Sequence, residues 1–189
     1  MGDVPMGNGR GDGLPADGEV LPADCRREEM GVAFFDLSRL AEWSSSDADA
    51  PVAAFFQEFY RIAAERLEPA GCRLVKLMGD AGLVAFAPED GEQAILALAT
   101  LCREARELAL ARGFDAWLNV NVHVGPVLSG SFGPAGHERY DVIGKTVNVA
   151  ARLGRRGLTL SPQAFRCLSK QARERFEKVK PAVTYRFSF

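Results

Sequence analysis

Tyr140-Asp141-Val142-Ile143-Gly144-Lys145-Thr146-Val147-Asn148-Val149-Ala150-Ala151-Arg152-Leu153 sets a carboxylate, an amide and a guanidinium at fixed offsets around one short helix. Asn148 and Arg152 are four residues apart and share a helix face. Val147, Val149, Ala150, Ala151 and Leu153 make the helix mostly apolar, so its two polar groups are expected to look into a pocket. Working outward, the apolar run Val32-Ala33-Phe34-Phe35 ends in Asp36. A second acid, Asp80, sits in Lys76-Leu77-Met78-Gly79-Asp80-Ala81-Gly82, with a lysine four residues before it. Two acids suit hard divalent cations, and the Arg, Asn and Lys suit a nucleotide.

The 189 residues leave room for one domain and a tail, and 47% hydrophobic residues suffice for a core. A net charge of −2 with no dense Lys/Arg block argues against a nucleic-acid or membrane-surface partner. Cys25, Cys72, Cys102 and Cys167 are widely spaced and the chain has only two histidines, so neither a zinc site nor a disulfide framework is signalled. The N-terminus lacks a signal-peptide pattern and no apolar stretch is long enough to cross a bilayer, so a cytoplasmic location is expected.

Residues 1 to 28 are rich in Gly, Pro and Asp and read as a flexible tail, with the domain proper over 29–189. Gly7 to Gly13 is glycine-loop-like, but no strand precedes it and no helix follows. From Gly31 the pattern becomes regular: a strand to Asp36, a Ser/Asp connection, then a helix from Pro51 to Glu68 with Phe55, Phe56 and Phe59 on its buried stripe. Strands at 72–77 and 83–86 flank the Asp80 turn, and a second helix spans Gly91 to Arg112. Leu118 to Val124 alternates like a strand, Gly125-Pro126 is expected to end it, and Val127 to Phe132 reads as its partner. This is the order of a ferredoxin-like βαββαβ core. Beyond it come an arm (Gly133 to Arg139), the short helix from Lys145, a strand near Leu158, a helix from Pro162 to Arg175 and a last strand from Val183. The fold class is α+β, helices on a mainly antiparallel sheet.

The Asp36, Asp80 and Asn148/Arg152 segments, with Asn121-Val122-His123-Val124-Gly125-Pro126-Val127 between the second and third, resemble the catalytic domain of class III nucleotidyl cyclases over roughly residues 30 to 189. The resemblance implies the cyclase α/β sandwich built on that core. It implies a head-to-tail homodimer that converts ATP to 3′,5′-cyclic AMP and pyrophosphate with two divalent cations, Mg²⁺ or Mn²⁺. By the same resemblance Asp36 and Asp80 hold metal, Asn148 positions ribose, and Arg152 meets the transition-state charge. Lys76 and Asp141 fall at the base-selecting positions, where guanine-specific relatives use Glu and Cys, so adenine is expected. A phosphate-binding lysine belongs near the final hairpin, where Lys178 and Lys180 are both candidates. His123 is given a structural role. Arg39 stands where the family usually has glycine, and the final hairpin is short. Those departures leave open an alternative: a weak or inactive cyclase-like domain serving as a nucleotide-binding or protein-interaction module.

Overall fold

In the computed structural model, the residues described are 21, 24–39, 49–154, 157–180 and 183–188. The glycine-rich stretch from Gly7 to Gly13, most of the tail and most of the Ser/Asp connection (40–48) lie outside them. The elements are β1 (Arg26–Leu37), α1 (Asp49–Leu67), β2 (Arg73–Met78), β3 (Ala81–Phe86), α2 (Gly91–Ala111), β4 (Leu118–Phe132), β5 (Arg139–Ile143), α3 (Lys145–Ala150), β6 (Leu158–Leu160), α4 (Pro162–Arg166), α5 (Lys170–Arg173), β7 (Phe176–Val179) and β8 (Thr184–Phe187). The strands form an eight-stranded sheet in the order β2-β3-β1-β4-β6-β8-β7, with β5 also paired to β4. Every ladder is antiparallel except β4 with β6. The βαββαβ core and the helix-on-sheet class expected from the pattern are both present.

Strand β1 explains its own continuous apolar run. Ala33, Phe35 and Leu37 join the large core under α1 and α2, while Val32 and the half-buried Phe34 belong to a second cluster on the other face. A strand covered on both sides cannot alternate with polar residues. Two glycines let aromatic rings lie flat across neighbouring strands: Phe35 over its register partner Gly82, and Phe86 over Gly31. A Cβ at either glycine would overlap the ring. Helix α1 buries Phe55, Phe59, Ala63 and Leu67, a strict four-residue stripe, and Phe59 meets Phe35 edge-on at 5.8 Å. None of the four cysteines is bridged, and burial pushes the Cys72 and Cys102 thiols up to about 12.

Three elements depart from the sequence pattern. First, β4 runs unbroken through Gly125-Pro126, and β1 begins at Arg26 to pair with its far half. Proline is tolerated because β6 pairs only with Val120 to Val122 and β5 only with Leu128 to Phe132, leaving Pro126 without a ladder partner on that flank. Second, Tyr140 to Ile143, given no element between the expected arm and the helix from Lys145, lies in strand β5. Third, the helix expected over 162–175 is split into α4 and α5. Ser169 between them caps α5 by accepting from Ala172 N at 3.2 Å, and Glu92 holds its hydroxyl at 2.9 Å.

Candidate active site

Strand pairing sets the backbones of the two acids side by side. Asp36 registers opposite Ala81, and Leu37 N donates to the Asp80 carbonyl at 3.0 Å, so both carboxylates stand at one end of the β1/β3 ladder. The Tyr60 hydroxyl donates to the Gly79 carbonyl at 2.8 Å and ties the hairpin tip to α1. Burial, helped by the nearby Asp80 charge, raises that phenol above its ordinary value. No cluster of three or more His, Cys, Asp or Glu side chains occurs among the described residues. A pair of carboxylates fits a hard divalent cation whose remaining positions go to phosphate oxygens and water, and not a closed protein cage.

Lys76 and Asp141 come together from strands that are not ladder neighbours. The pairing of β2 slips between Leu74 and Lys76, which sets Lys76 opposite Leu83 on the same side of the sheet as Val75. There its Nζ lies 2.6 Å from Asp141 Oδ2. The other Asp141 oxygen accepts from Val142 N at 2.7 Å, and the Arg73 guanidinium rests 3.5 Å above the Tyr140 ring, binding β2 to β5 a second time. The pair is half-buried, so its donors and acceptors remain within reach of a ligand.

Helix α3 is anchored at both ends. The Thr146 hydroxyl donates to the Pro126 carbonyl at 2.6 Å, and Ala150 is fully buried against the sheet. The helix stops at Ala150, and Arg152 lies in the following turn, its N–H donating to Val149 at 3.1 Å. Asn148 and Arg152 nonetheless line one cavity of about 430 Å³ with Lys145, Val149, Leu153 and Thr184. An adjoining cavity of about 800 Å³ shares four of those residues and continues to His123 and Ser161. Neither acid is among the described lining of either cavity. A further cavity of about 700 Å³, lined by Cys102, Arg103, Arg106 and Trp117, lies by α2 and contains none of the candidate metal, catalytic or nucleotide-binding residues.

The remaining candidates separate by register. Lys178 pairs with Tyr185, whose ring stacks on Phe165 at 3.6 Å, so it sits on the helical side of the β7/β8 hairpin. Val179 pairs with Thr184, and Lys180 follows it at the hairpin tip beside the Arg152 cavity. Arg39 has a left-handed backbone, φ 62°, and its guanidinium reaches Asp115 at 2.7 Å. His123 Nδ1 lies 2.9 Å from Ser161 Oγ, and burial lowers its pKa. Asn119 and Asn121 were absent from the sequence reading as site residues. They are 6% and 3% exposed, not solvated as alternation suggests, and the only hint was the choice of amides where an outward strand face usually carries charge.

The strand-and-helix framework that carries these residues has structural counterparts in its fold. A bacterial light-regulated adenylyl cyclase superposes with a TM-score of 0.77 at 18% identity, covering 87% of this chain and 52% of that one. The adenylyl cyclase CyaB from P. aeruginosa gives 0.77 at 16% identity, covering 88% and 96%. The guanylyl cyclase Cya2 gives 0.75 at 18%, covering 86% and 92%. This chain therefore spans about half the length of the light-regulated enzyme and nearly all of the other two. No curated protein sequence matches it. The sequence pattern of the adenylate and guanylate cyclase catalytic domain matches residues 24–182, and the chain belongs to that family, the class III nucleotidyl cyclases.

Proposed function

We propose that the domain converts ATP to 3′,5′-cyclic AMP and pyrophosphate at sites shared between two copies of the chain. One observation carries the proposal: Asp36 and Asp80 adjoin at one ladder end, while the cavity holding Asn148 and Arg152 has neither acid in its described lining. Each chain thus offers two incomplete halves, and a two-fold pairing brings the acids of one protomer to the Asn/Arg turn of its partner.

Divalent cations bound at Asp36 and Asp80 would favour ionisation of the ribose 3′ hydroxyl and neutralise the departing pyrophosphate. Asn148 holds the ribose so that this hydroxyl faces the α-phosphate in line. Arg152 donates to the nonbridging oxygens, where charge grows during the displacement, and a pre-placed guanidinium is worth most at that stage. Lys76 donates to a ring nitrogen of the base and Asp141 accepts from its exocyclic amine. The existing 2.6 Å contact between them keeps both side chains in place before the base arrives. Lys180, beside the Arg152 cavity, is the better placed of the two hairpin lysines for the phosphate tail.

Purified protein with Mn²⁺ should convert ATP to cyclic AMP and pyrophosphate in preference to converting GTP to cyclic GMP and pyrophosphate. Asp36→Ala and Arg152→Ala should each lower turnover about 10²–10³-fold, and mixing the two variants should restore it. Tight nucleotide binding without product from either triphosphate would instead establish a binding module.

A further inference from the structure

We infer that Asn119 and Asn121, two residues apart on β4, are positioning residues for two different active sites of the dimer. The inference rests on the shared-site reading above and extends it to residues outside the Asp, Asn, Arg and Lys set.

Both side chains stand on the sheet face that carries Asp36, because Asn119 registers opposite Asp36 and Asn121 opposite Phe34. Asn119 Nδ2 donates to Asp36 Oδ2 across a long 3.5 Å contact. Asn121 Nδ2 donates to the Gly154 carbonyl at 3.0 Å. Gly154 is two residues beyond Arg152 and is pressed on Thr159, where an added Cβ would stand 2.9 Å from Oγ1. The turn carrying Arg152 therefore has no slack on that side and is fixed from beneath by Asn121. One amide steadies the acid half of a site; its neighbour steadies the arginine half, which serves the other site.

Stability does not account for these amides. Asn119 Oδ1, Asn121 Oδ1 and Thr159 Oγ1 are buried and find no partner among the described residues. An orphaned buried oxygen costs about 1–3 kcal/mol, which a small apolar side chain would avoid. What the amides contribute is the donor side: one N–H group on Asp36 and one on the Gly154 carbonyl. A donor on a carboxylate oxygen fixes the rotamer of the acid, the arrangement by which outer partners tune metal affinity.

The test is complementation among Asn119→Ala, Asn121→Ala, Asp36→Ala and Arg152→Ala, each also made as the milder Ser variant at the two asparagines in case an Ala variant does not fold. Each asparagine variant alone should lose about 10–100-fold in turnover. Mixed with Arg152→Ala, the Asn119 variant should regain activity well above the sum of the separate proteins, and with Asp36→Ala it should not. The Asn121 variant should behave in the opposite way, and the two asparagine variants should rescue each other. Mn²⁺ titration of the nucleotide-free protein by electron paramagnetic resonance gives a readout independent of turnover. Asn119→Ala should weaken binding about 10-fold and Asn121→Ala should leave it within twofold. Both asparagines falling in one complementation group, or shifting Mn²⁺ binding equally, overturns the inference and leaves the shared site standing. Failure of Asp36→Ala and Arg152→Ala to rescue each other overturns the shared site, and this assignment with it.

Discussion

The two faces of the sheet are built on opposite principles. Beneath α1 and α2, Phe35, Phe55, Phe59, Leu98, Leu101 and Ile95 form a dry core with no charged member. The opposite face has the smaller cluster of Val32, Leu83, Ala85, Val127, Val142 and Ala150. Through it run Asp36, Lys76, Asn119, Asn121 and His123, two of them with an amide oxygen that finds no partner among the described residues. Close packing alone maximises stability, whereas a polar, partly unsatisfied face lowers it and is retained where chemistry requires donors and acceptors in fixed places. The helical face therefore specifies the fold, and the other face carries the residues assigned to the proposed reaction.

The contrast is broken most strongly on the helical side. Phe59 is fully buried, meets Phe35 edge-on at 5.8 Å and lies parallel to Phe55 at 6.2 Å. Phe59→Ala should cost about 3–5 kcal/mol in urea unfolding while leaving turnover per folded molecule within twofold. An equal loss of turnover with little change in unfolding would mean that the two faces are not separable. The reverse pattern is expected of the double change Lys76→Glu with Asp141→Cys. Because the pair is only half-buried, its removal should alter stability by no more than about 1 kcal/mol. The preference for ATP over GTP should fall by about 10–100-fold, measured as the ratio of kcat/KM values. An unchanged ratio would remove Lys76 and Asp141 from base selection.

The same division explains what could be read from the sequence. The helical face follows simple periods: Phe55, Phe59 and Ala63 repeat every four residues, and Leu118, Val120, Val122 and Val124 every two, so α1, α2 and the core strands were legible. The continuity of β4 was not, because Gly125-Pro126 is a strong local stop signal that only a vacant flank at Pro126 overrides. The burial of Asn119 and Asn121 was hidden for a similar reason. An alternating polar strand face reads as solvated unless a later segment, here the turn through Gly154, closes over it. Asp36, Asp80, Asn148 and Arg152 stood out through motif spacing, and the family resemblance, not the spacing, already implied a head-to-tail homodimer in which the acids and the Asn/Arg helix of one site come from different subunits. Asp141 was visible by motif, yet its strand was not, since a five-residue segment before a glycine carries too little pattern.

His123 sharpens the comparison at the boundary of the polar face. Ser161 Oγ accepts from Ala164 N at 3.1 Å, so its own hydrogen is available to His123 Nδ1 only while that nitrogen is unprotonated. Burial lowers the folded pKa below the ordinary 6.5. The unfolded chain then takes up the proton first as pH falls, and stability is fully present above about 6.5 and is lost as pH drops through the folded value. The fall in Tm between pH 7.5 and pH 5.5 should shrink by about 1–2 °C in His123→Gln, measured by thermal melts. An unaltered pH slope would show that the ring does not stay neutral in the fold.

The smallest effect is expected at Arg39, where the family's usual glycine is replaced. A left-handed backbone at a residue with a Cβ costs about 1–2 kcal/mol, which Arg39→Gly relieves. Against that gain stand the extra freedom of glycine in the unfolded chain and the loss of an exposed ion pair that water largely screens. Asp115 does not become unpaired in the variant, because Arg106 also holds it, at 2.5 Å. The net change in unfolding free energy should therefore be a stabilisation of about 0–1 kcal/mol. Turnover should stay within twofold, since the guanidinium is drawn to Asp115 and the backbone already has the conformation that glycine would take. A large rise in turnover on introducing glycine would place Arg39 over the phosphates and make it an inhibitory element of the polar face.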